Sequence, residues 1–280
     1  MAPPLFVVGP PVAVRGMLSH MQSIWTFRHF WMALVKMDLR TKYRRSVLGV
    51  GWSVLNPIMM SAVLMLGFGK VLGGGDTIRE YGAFLLSGLC TWEFMRNSMS
   101  IGCNALTQNE PYIRQSPLPY GIYPLRTVAG TGIHFVITLC VAVAIICVLK
   151  GDVSPLLNAW MLLPTVALLF VFCWSLAAIF AFANAYFHDT QHLTDVVMSL
   201  MFFLTPVMLK PETQHPAIRE MNAYNPFTVF IQLVRLPLTR LDDPFPPGEL
   251  WLQAVGLTAI LFALACSTVG ALQKKVIFQL

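Results

Sequence analysis

The chain contains long stretches without a single charged residue, and these restrict its possible folds more than any other feature. Residues 46–69, 127–149 and 250–273 each lack Asp, Glu, Lys and Arg. A helix needs about 20 mostly apolar residues to cross the hydrocarbon core of a membrane. Only 11% of all residues are charged, whereas soluble domains average about 25%. The sequence therefore predicts an integral membrane protein and excludes a soluble enzyme, a disordered chain and a nucleic-acid-binding domain.

The predicted fold is all-α, with six membrane-spanning helices and both termini on the same side. Two of the six are less apolar than the others: the second contains Glu93 and Arg96, and the fifth begins close to Asp195. The predicted spans cover residues 46–69, 81–105, 127–149, 161–186, 191–209 and 250–273.

Basic residues predict the orientation of these spans. Seven Lys and Arg residues precede the first span, and cytoplasmic segments of membrane proteins are enriched in both residue types. We therefore expect both termini in the cytoplasm. Residues 1–24 are predicted to form a flexible tail. They are not expected to be a signal peptide, because no basic N-terminal segment precedes a continuous apolar core.

Residues 25–45 predict an amphipathic helix that lies in the cytoplasmic headgroup region. At 100° per residue its aromatic and aliphatic side chains share one side, while its basic side chains line the other. Asp38 falls on the apolar side and weakens this pattern. A simple positively charged anchor is the alternative. The apolar side consists of Phe27, Phe30, Trp31 and Leu34, and the basic side of Lys36, Arg40 and Arg44.

Two further segments are predicted not to cross the membrane. Residues 106–124, which join spans two and three, are rich in proline and predict a short, stiff, shaped element; a plain tight turn is the alternative. Residues 210–249 are too apolar for an ordinary outer loop. They predict an amphipathic or re-entrant region, which membranes tolerate only where it is buried in protein or lines a water-filled cavity; a surface helix is the alternative.

Four stretches of sequence are similar to the membrane-spanning subunits of type-2 ABC exporters, and specifically to the branch that exports polysaccharides such as O-antigen, capsule and teichoic acid. They occur in the family's order, and the resemblance as a whole runs from about residue 25 to residue 280 as one transmembrane domain. The stretches read DLRTKYRRSVLGVGWSVLNPIM (38–59), LLSGLCTWEF (85–94), NEPYIRQSPLP (109–119), and FHDTQHLTDVVMSLMFFLTPVM (187–208) together with YNPFTVFIQLVRLPL (224–238).

This resemblance implies a permease in the bacterial cytoplasmic membrane that docks on a separate ATPase subunit. It implies two copies of the chain facing each other around a path for a lipid-linked glycan, in contact with membrane lipids and without nucleic acid. The family usually has Arg where this chain has His188. The implied docking residues are Arg40, Lys42, Arg44, Arg45, Asn109, Glu110, Tyr112, Arg114, His188 and Asp189, and the implied exit region includes Asn225 and Pro226.

The sequence contains no G-x-x-x-x-G-K-[ST] loop, which wraps the phosphates of ATP with backbone amides and a lysine. We therefore expect no cofactor in this chain and no enzymatic activity of its own, with ATP and Mg²⁺ bound by the partner ATPase. A type-2 permease for a small molecule or a lipid is an alternative, because the same spans suit either cargo.

Charged residues near the middle of span two are candidates for lining the transport path. An ion at a helix centre is unfavourable by about 2.5–3.5 kcal/mol on insertion scales. We expect Glu93 and Arg96, three residues apart, to neutralise each other in part. The neighbouring Trp92 and Phe94 are candidates for stacking on sugar rings; a structural ion pair flanked by lipid-facing aromatics is the alternative.

An intramembrane zinc protease is the alternative from another class. His188 and His192 lie four residues apart beside Asp189, which is similar to the H-E-x-x-H zinc motif. However, aspartate replaces the glutamate base, and no third ligand is evident in another span. The six cysteines form no C-x-x-C pair and predict small core residues rather than a disulfide framework or a metal site.

Overall fold

The computed structural model describes residues 22, 24–44, 46–49, 51–72, 77–115, 118–240, 243–277 and 279. These residues form helices and contain no β-strand, in agreement with the predicted all-α class. Short 3₁₀ turns lie at Thr107–Asn109, Asn158–Met161 and Pro211–Thr213. The helices are α1 (Arg28–Tyr43), α2 (Gly51–Leu72), α3 (Ile78–Cys103), α4 (Glu110–Gln115), α5 (Ile122–Lys150), α6 (Ser154–Leu157), α7 (Leu162–Tyr186), α8 (Thr190–Leu204), α9 (Pro216–Ala223), α10 (Pro226–Thr239) and α11 (Gly248–Val276).

Four helical segments of the described chain are long and apolar enough to cross a membrane. They are Gly51–Gly69, Ile122–Lys150, Ser154–Tyr186 and Gly248–Gln273, which contain the predicted spans one, three, four and six almost completely. Helix α3 occupies the predicted span two and has 26 residues, but Glu93 and Arg96 lower its hydropathy. Helix α8 occupies the predicted span five with only 15 residues. The crossings by α3 and α8 therefore remain predictions.

Helix α3 lies at the centre of the bundle and contacts α2, α5, α7, α8 and α10. Most of its side chains are buried, whereas Glu93 and Arg96 are half-exposed. Gly102 allows α7 to approach, since a Cβ atom there would lie 2.7 Å from Cβ of Ala177. Small residues of this kind let helices pack closely inside membranes.

Local sequence signals fix where the central helices begin and end. Thr77 and Glu80 form a capping box at the start of α3, which satisfies two amide groups that the first turn leaves unpaired. Gly151 ends α5 with φ of 68°, a left-handed conformation that glycine adopts without the steric cost of a Cβ atom. Asn225 caps α10 by accepting a hydrogen bond from the amide of Phe227, with Pro226 as the first helical residue.

Helix α1 packs against α5 and lies at the end of the bundle predicted to be cytoplasmic, which we call the α1 end. Leu34 and Val35 are buried, whereas Lys36 and Arg40 are exposed. The predicted amphipathic pattern is therefore present. Of the tail predicted over residues 1–24, all but residues 22 and 24 lie outside the described part of the chain.

The residues that follow α8 form a second packed region at the opposite end of the bundle. Helix α10 packs against α3, α7 and α11, and nine of its residues are buried. Phe227 near its start contacts Trp92 in the middle of α3, with 5.7 Å between ring centroids. At its other end, the carbonyl of Thr239 accepts a hydrogen bond from Lys150 at the end of α5. Helix α10 thus runs alongside the half of α3 nearest the α3 N-terminus.

Candidate transport path and coupling site

A cavity of about 250 Å³ with a mixed polar and apolar lining lies between α2, α3 and α5 and extends to Lys42 near the end of α1. Its lining mixes aromatic side chains with groups that form hydrogen bonds, and it includes the carboxylate of Glu93. Polar and ionisable side chains inside a membrane protein usually face such a cavity and mark a substrate path. The lining residues are Lys42, Trp52, Ser53, Asn56, Pro57, Cys90, Glu93, Phe94, Asn97, Ile101, Thr131, His134, Phe135 and Thr138.

Glu93 faces this cavity without the ion pair that the sequence suggested. Its carboxylate accepts a hydrogen bond of 3.1 Å from Nδ2 of Asn97, one helical turn away. The ion pairs found among the described residues are Arg114–Glu110 and Arg126–Asp38, so the expected neutralisation by Arg96 is wrong. An amide four residues along the helix satisfies Glu93, and Arg96 does not line the cavity.

The two candidate aromatic residues of α3 have different environments. Trp92 is only 2% exposed, and its ring lies against Phe202 and Phe227, with centroids 5.9 and 5.7 Å away. It belongs to the core and does not line the cavity. Phe94 does line the cavity and stacks on Phe135, with ring centroids 4.7 Å apart and planes inclined by 10°.

Arg126 joins three elements at the α1 end. It donates two hydrogen bonds to the carboxylate of Asp38 on α1, one of them 2.6 Å long from Nε to Oδ2. It also donates to Oδ1 of Asn109 in the connection between α3 and α5, and its guanidinium lies 5.8 Å from the ring centroid of Tyr112. This arrangement explains why Asp38 occupies the apolar side of α1: the side chain it faces is an arginine.

A second polar bridge ties the turn between α7 and α8 to the same connection. Nδ2 of Asn184 donates to Oδ1 of Asn104, at a distance of 3.2 Å. Oδ1 of Asn184 accepts from the amide of Gln191, also at 3.2 Å. Helix α8 is held further by Ser100, which donates to the carboxylate of Asp195. The acid that weakened the prediction of span five is therefore paired with α3.

The predicted docking residues fall into an exposed group and an inward-facing group. Asn109 is buried and Tyr112 half-buried, so these two hold the connection in place. Glu110, half-exposed, pairs with Arg114 across one turn of α4, at 2.7 Å. Arg45 lies outside the described residues. The exposed members are Arg40, Lys42, Arg44, Arg114, His188 and Asp189.

Residues 106–124, for which the sequence predicted a stiff element, contain a 3₁₀ turn and α4 before α5 begins at Ile122. Residues 116 and 117 lie outside the described part. Asn109 anchors the element through Nδ2, which donates to the carbonyl of Ala105 at 2.7 Å. The connection is thus fixed to both α3 and Arg126.

A buried arginine fixes α10 at the opposite end, and sequence reasoning did not identify it. Arg235 donates to the carbonyls of Pro206 and Val207, at 2.7 and 3.2 Å. Its guanidinium carbon lies 3.6 Å from the ring centroid of Phe84. Gly88 provides the space, since a Cβ atom there would lie 2.2 Å from Nη2 of Arg235. A lone arginine in an otherwise apolar amphipathic stretch was the available signal.

The predicted exit residues take part in a network of amides and hydroxyls. Nδ2 of Asn225 donates to Oγ1 of Thr205 at 2.9 Å and to Oδ1 of Asn222 at 3.2 Å. Asn222 in turn donates to Oε1 of Gln214 and to the carbonyl of Leu204. Pro226 begins α10. These residues shape the start of α10 against the end of α8.

The histidines of the alternative zinc site do not form a metal centre in the described part of the chain. His188 lies in the turn before α8 and His192 in its first turn, and both are exposed. No group of three or more His, Cys, Asp and Glu side chains suitable for a metal ion occurs among the described residues.

Apolar helices packed around a polar, charged cavity are the arrangement expected of a membrane transport protein. The sequence profile of the ABC-2 type transporter family matches residues 29–238. The chain therefore belongs to this family, and its individual relatives agree with the branch that the sequence motifs indicated.

Three relatives are permeases or transport proteins of polysaccharide systems. The O-antigen export system permease protein RfbA of Myxococcus xanthus is 28% identical over 215 residues, or 75% of this chain and 80% of the relative. RfbA of Klebsiella pneumoniae is 26% identical over 201 residues, or 71% and 76%. The polysialic acid transport protein KpsM of Escherichia coli is 20% identical over 204 residues, or 72% and 78%.

Proposed function

We propose that this chain is the permease subunit of an ABC exporter that moves a lipid-linked polysaccharide across the bacterial cytoplasmic membrane. The observation that carries this proposal is the family match over residues 29–238, together with relatives whose names describe O-antigen and polysialic acid export. The sequence lacks a phosphate-binding loop, so we assign ATP, Mg²⁺ and hydrolysis to a separate ATPase subunit.

We infer that six helices cross the membrane, with both termini in the cytoplasm. Helix α3 has 26 residues and is about 39 Å long at 1.5 Å per residue, enough to span the hydrocarbon core. Most of its side chains are buried in the bundle, and Glu93 and Arg96 are half-exposed. Helix α8 is about 22 Å long by the same measure, and the following residues to 209 would complete its crossing. Helices α9 and α10 would then form the outer re-entrant region.

Coupling to the ATPase would occur at the α1 end. The exposed side chains of Arg40, Arg44 and Arg114, with the turn at His188 and Asp189, form the docking surface of this proposal. Arg126 links α1 and the α4 connection to α5, and Asn104 links that connection to the turn before α8. A movement of the docked ATPase would therefore reach several long helices at once, because these elements are hydrogen-bonded into one unit.

The glycan would pass along the polar cavity between α2, α3 and α5, completed by a second copy of the chain. Helix α2 fits a partner-facing position, since Trp52, Met59 and Val63 are all exposed beside this cavity. Hydroxyl and amide groups exchange hydrogen bonds with a sliding sugar chain, while Phe94, 3% exposed and stacked on Phe135, forms part of the cavity wall. Asn225 and Pro226 would shape the outer exit.

Charge reversal at the docking surface tests this proposal. Arg114→Glu and Arg40→Glu should reduce surface glycan at least tenfold and reduce recovery of the ATPase with the tagged chain. Both should leave the amount of membrane-inserted chain unchanged. Arg79→Glu, an exposed arginine at the opposite end, is the matched control and should export normally. Normal export by both docking variants would overturn the docking assignment, and normal surface glycan in a strain lacking the chain would overturn the function.

A further inference from the structure

The cavity between α2, α3 and α5, which is the proposed substrate path, is lined by the carboxylate-bearing residue Glu93. We propose that Glu93 selects the glycan by charge, so that the exporter carries polysaccharides whose repeat units are neutral or cationic and rejects those with a carboxylate in every repeat. This inference rests on the proposed function and deepens it by naming the class of glycan.

The position of Glu93 supports this selection. Its carboxylate lies on the central helix, lines the cavity and is oriented by a hydrogen bond of 3.1 Å from Asn97. No lysine, arginine or histidine nitrogen lies within 4.0 Å of it among the described residues. Lys42, the basic residue that lines this cavity along with His134, lies at the α1 end of it. Glu93 is therefore the acidic residue of a cavity whose basic lining residues are Lys42 and His134.

Like charges at close range discriminate strongly in such an environment. At about 4 Å and an effective dielectric constant of about 20, repulsion between two unit charges disfavours occupancy by roughly a thousandfold. A neutral sugar instead donates hydroxyl hydrogen bonds to the carboxylate, and these are stronger than bonds between neutral partners. Rings of Asp or Glu select cations in channels by the same principle, and two copies of this chain would place two Glu93 side chains along one path.

Selection acts on the repeat units and not on the lipid linkage. A linking phosphate passes the cavity once in each export event, whereas a carboxylate in each repeat would face Glu93 throughout the passage of the chain. The repulsion therefore accumulates only for an acidic polymer. Apart from Lys42 and His134, the other polar side chains of this cavity, including Asn56 and Thr131, are uncharged and suit either kind of sugar.

The test compares two defined substrates in the whole transporter, reconstituted in vesicles from this chain and its copurifying ATPase. The probes are polyprenyl-diphosphate-linked oligosaccharides of equal length, one built from neutral hexoses and the other carrying a uronic acid in each repeat. We expect the native transporter to move the neutral glycan at least tenfold faster, with a matching difference in stimulated ATP hydrolysis. Glu93→Gln should reduce this preference to about twofold.

Two further variants show whether a change in glycan preference results from the charge at Glu93 or from a loss of folding. Asn97→Asp retains Glu93 and adds a second carboxylate beside it, so it should increase the preference for the neutral glycan. Glu249→Gln removes an exposed carboxylate at the start of α11 and should leave the preference unchanged. Equal transport of both glycans by the native protein, or an unchanged ratio in Glu93→Gln, would overturn the charge selection alone. ATP-dependent transport of neither glycan would overturn the proposed function and this inference with it.

Discussion

Two arginines fix the two ends of this molecule, and they do so in different ways. Arg126 at the α1 end pairs with the carboxylate of Asp38, whose side chain is 44% exposed. Arg235 at the opposite end is buried among the carbonyls of Pro206 and Val207 and the ring of Phe84, with no carboxylate within 4.0 Å among the described residues.

This difference indicates how each end of the molecule responds when neighbouring helices move during transport. Water reaches Asp38, but the Arg126 side chain is only 10% exposed, so separating this pair would leave a largely buried guanidinium with Asn109 as its remaining hydrogen-bond partner. Arg235 cannot leave its site without exposing its charge and two carbonyls to an apolar interior. We therefore infer that the Arg126–Asp38 pair keeps α1 and α5 together but is the weaker of the two anchors, whereas α10 stays firmly attached to the end of α8 and to α3.

Removal of Arg235 is expected to have the largest effect on stability. Arg235→Met leaves the carbonyls of Pro206 and Val207 unpaired in a buried site, at a cost of about 1–3 kcal/mol for each group. Thermal unfolding of the purified protein in detergent should show a clearly lower Tm, with Arg235→Lys intermediate because its ammonium keeps the charge and can donate to a carbonyl but lacks the two-nitrogen fork of arginine. A Tm equal to that of the native protein would contradict the anchoring role.

A methyl group added at Gly88 is expected to cause the next largest loss of stability. Gly88→Ala places Cβ 2.2 Å from Nη2 of Arg235 and 3.2 Å from the carbonyl oxygen of Val207, so the guanidinium must shift. Overpacking of this kind typically costs about 1–3 kcal/mol. Gly130→Ala is the matched control, because a Cβ there meets no atom within 4 Å, and it should match or exceed native stability in the same unfolding assay. Similar losses in both variants would refute the proposed clash.

The fold was largely predictable from apolar stretches, whereas the contacts that define the site were not. Uncharged runs between charges predict α2, α5, α7 and α11 because lipid imposes a direct limit on composition. Helix α3 departs from this rule in part, since most of its side chains are buried in protein and its two central charges are half-exposed. The helix within predicted span five is shorter than the span, as α8 ends at Leu204, where Leu204 and the residue after it contact Asn222 and Asn225.

Long-range pairing explains the remaining differences. Asp38 and Arg126 are 88 residues apart, and Arg235 lies 28 residues beyond Val207, so no local periodicity reveals either contact. Periodicity marked Asp38 as an exception to the amphipathic pattern. That exception indicated that Asp38 has a basic partner elsewhere in the chain, which is Arg126. Spacing along α3 wrongly suggested a Glu93–Arg96 pair, because a three-residue separation permits contact without requiring it. Trp92 was a candidate for sugar stacking by type alone, and its burial follows from α10, whose position the sequence left open.

The Arg126–Asp38 pair should contribute less to stability than Arg235 and more to transport. A double-mutant cycle with Arg126→Gln and Asp38→Asn should give a coupling energy of about 1 kcal/mol, as expected of a partly exposed ion pair. Each single variant should assemble with the ATPase yet export glycan several-fold more slowly. The exposed Glu110–Arg114 pair serves as the comparison, with a coupling of about 0.3–0.5 kcal/mol. Equal couplings would remove the distinction between a linking pair and a surface pair.

The smallest expected effect concerns the capping box at the start of α3. Thr77→Ala should destabilise the protein by about 0.5 kcal/mol, at the low end for a helix cap because the site is exposed. Hydrogen bonds from the Thr77 amide and hydroxyl lower the pKa of Glu80 from its ordinary value of 4.5. The associated stability is complete above that value and is lost as the pH falls through the lowered pKa. The difference in Tm between native and variant should therefore shrink in acid, and a constant difference would exclude this contribution.

The most direct test of the whole account measures transport with and without the partner ATPase. The purified chain alone, and the chain with the ATPase that copurifies with it, are placed in vesicles whose inner and outer leaflets can be sampled for a polyprenyl-linked glycan. The account predicts ATP-dependent movement of the glycan only when both subunits are present. Net pumping by the chain alone, or ATP hydrolysis by the chain alone, would contradict the assignment of a permease driven by another subunit.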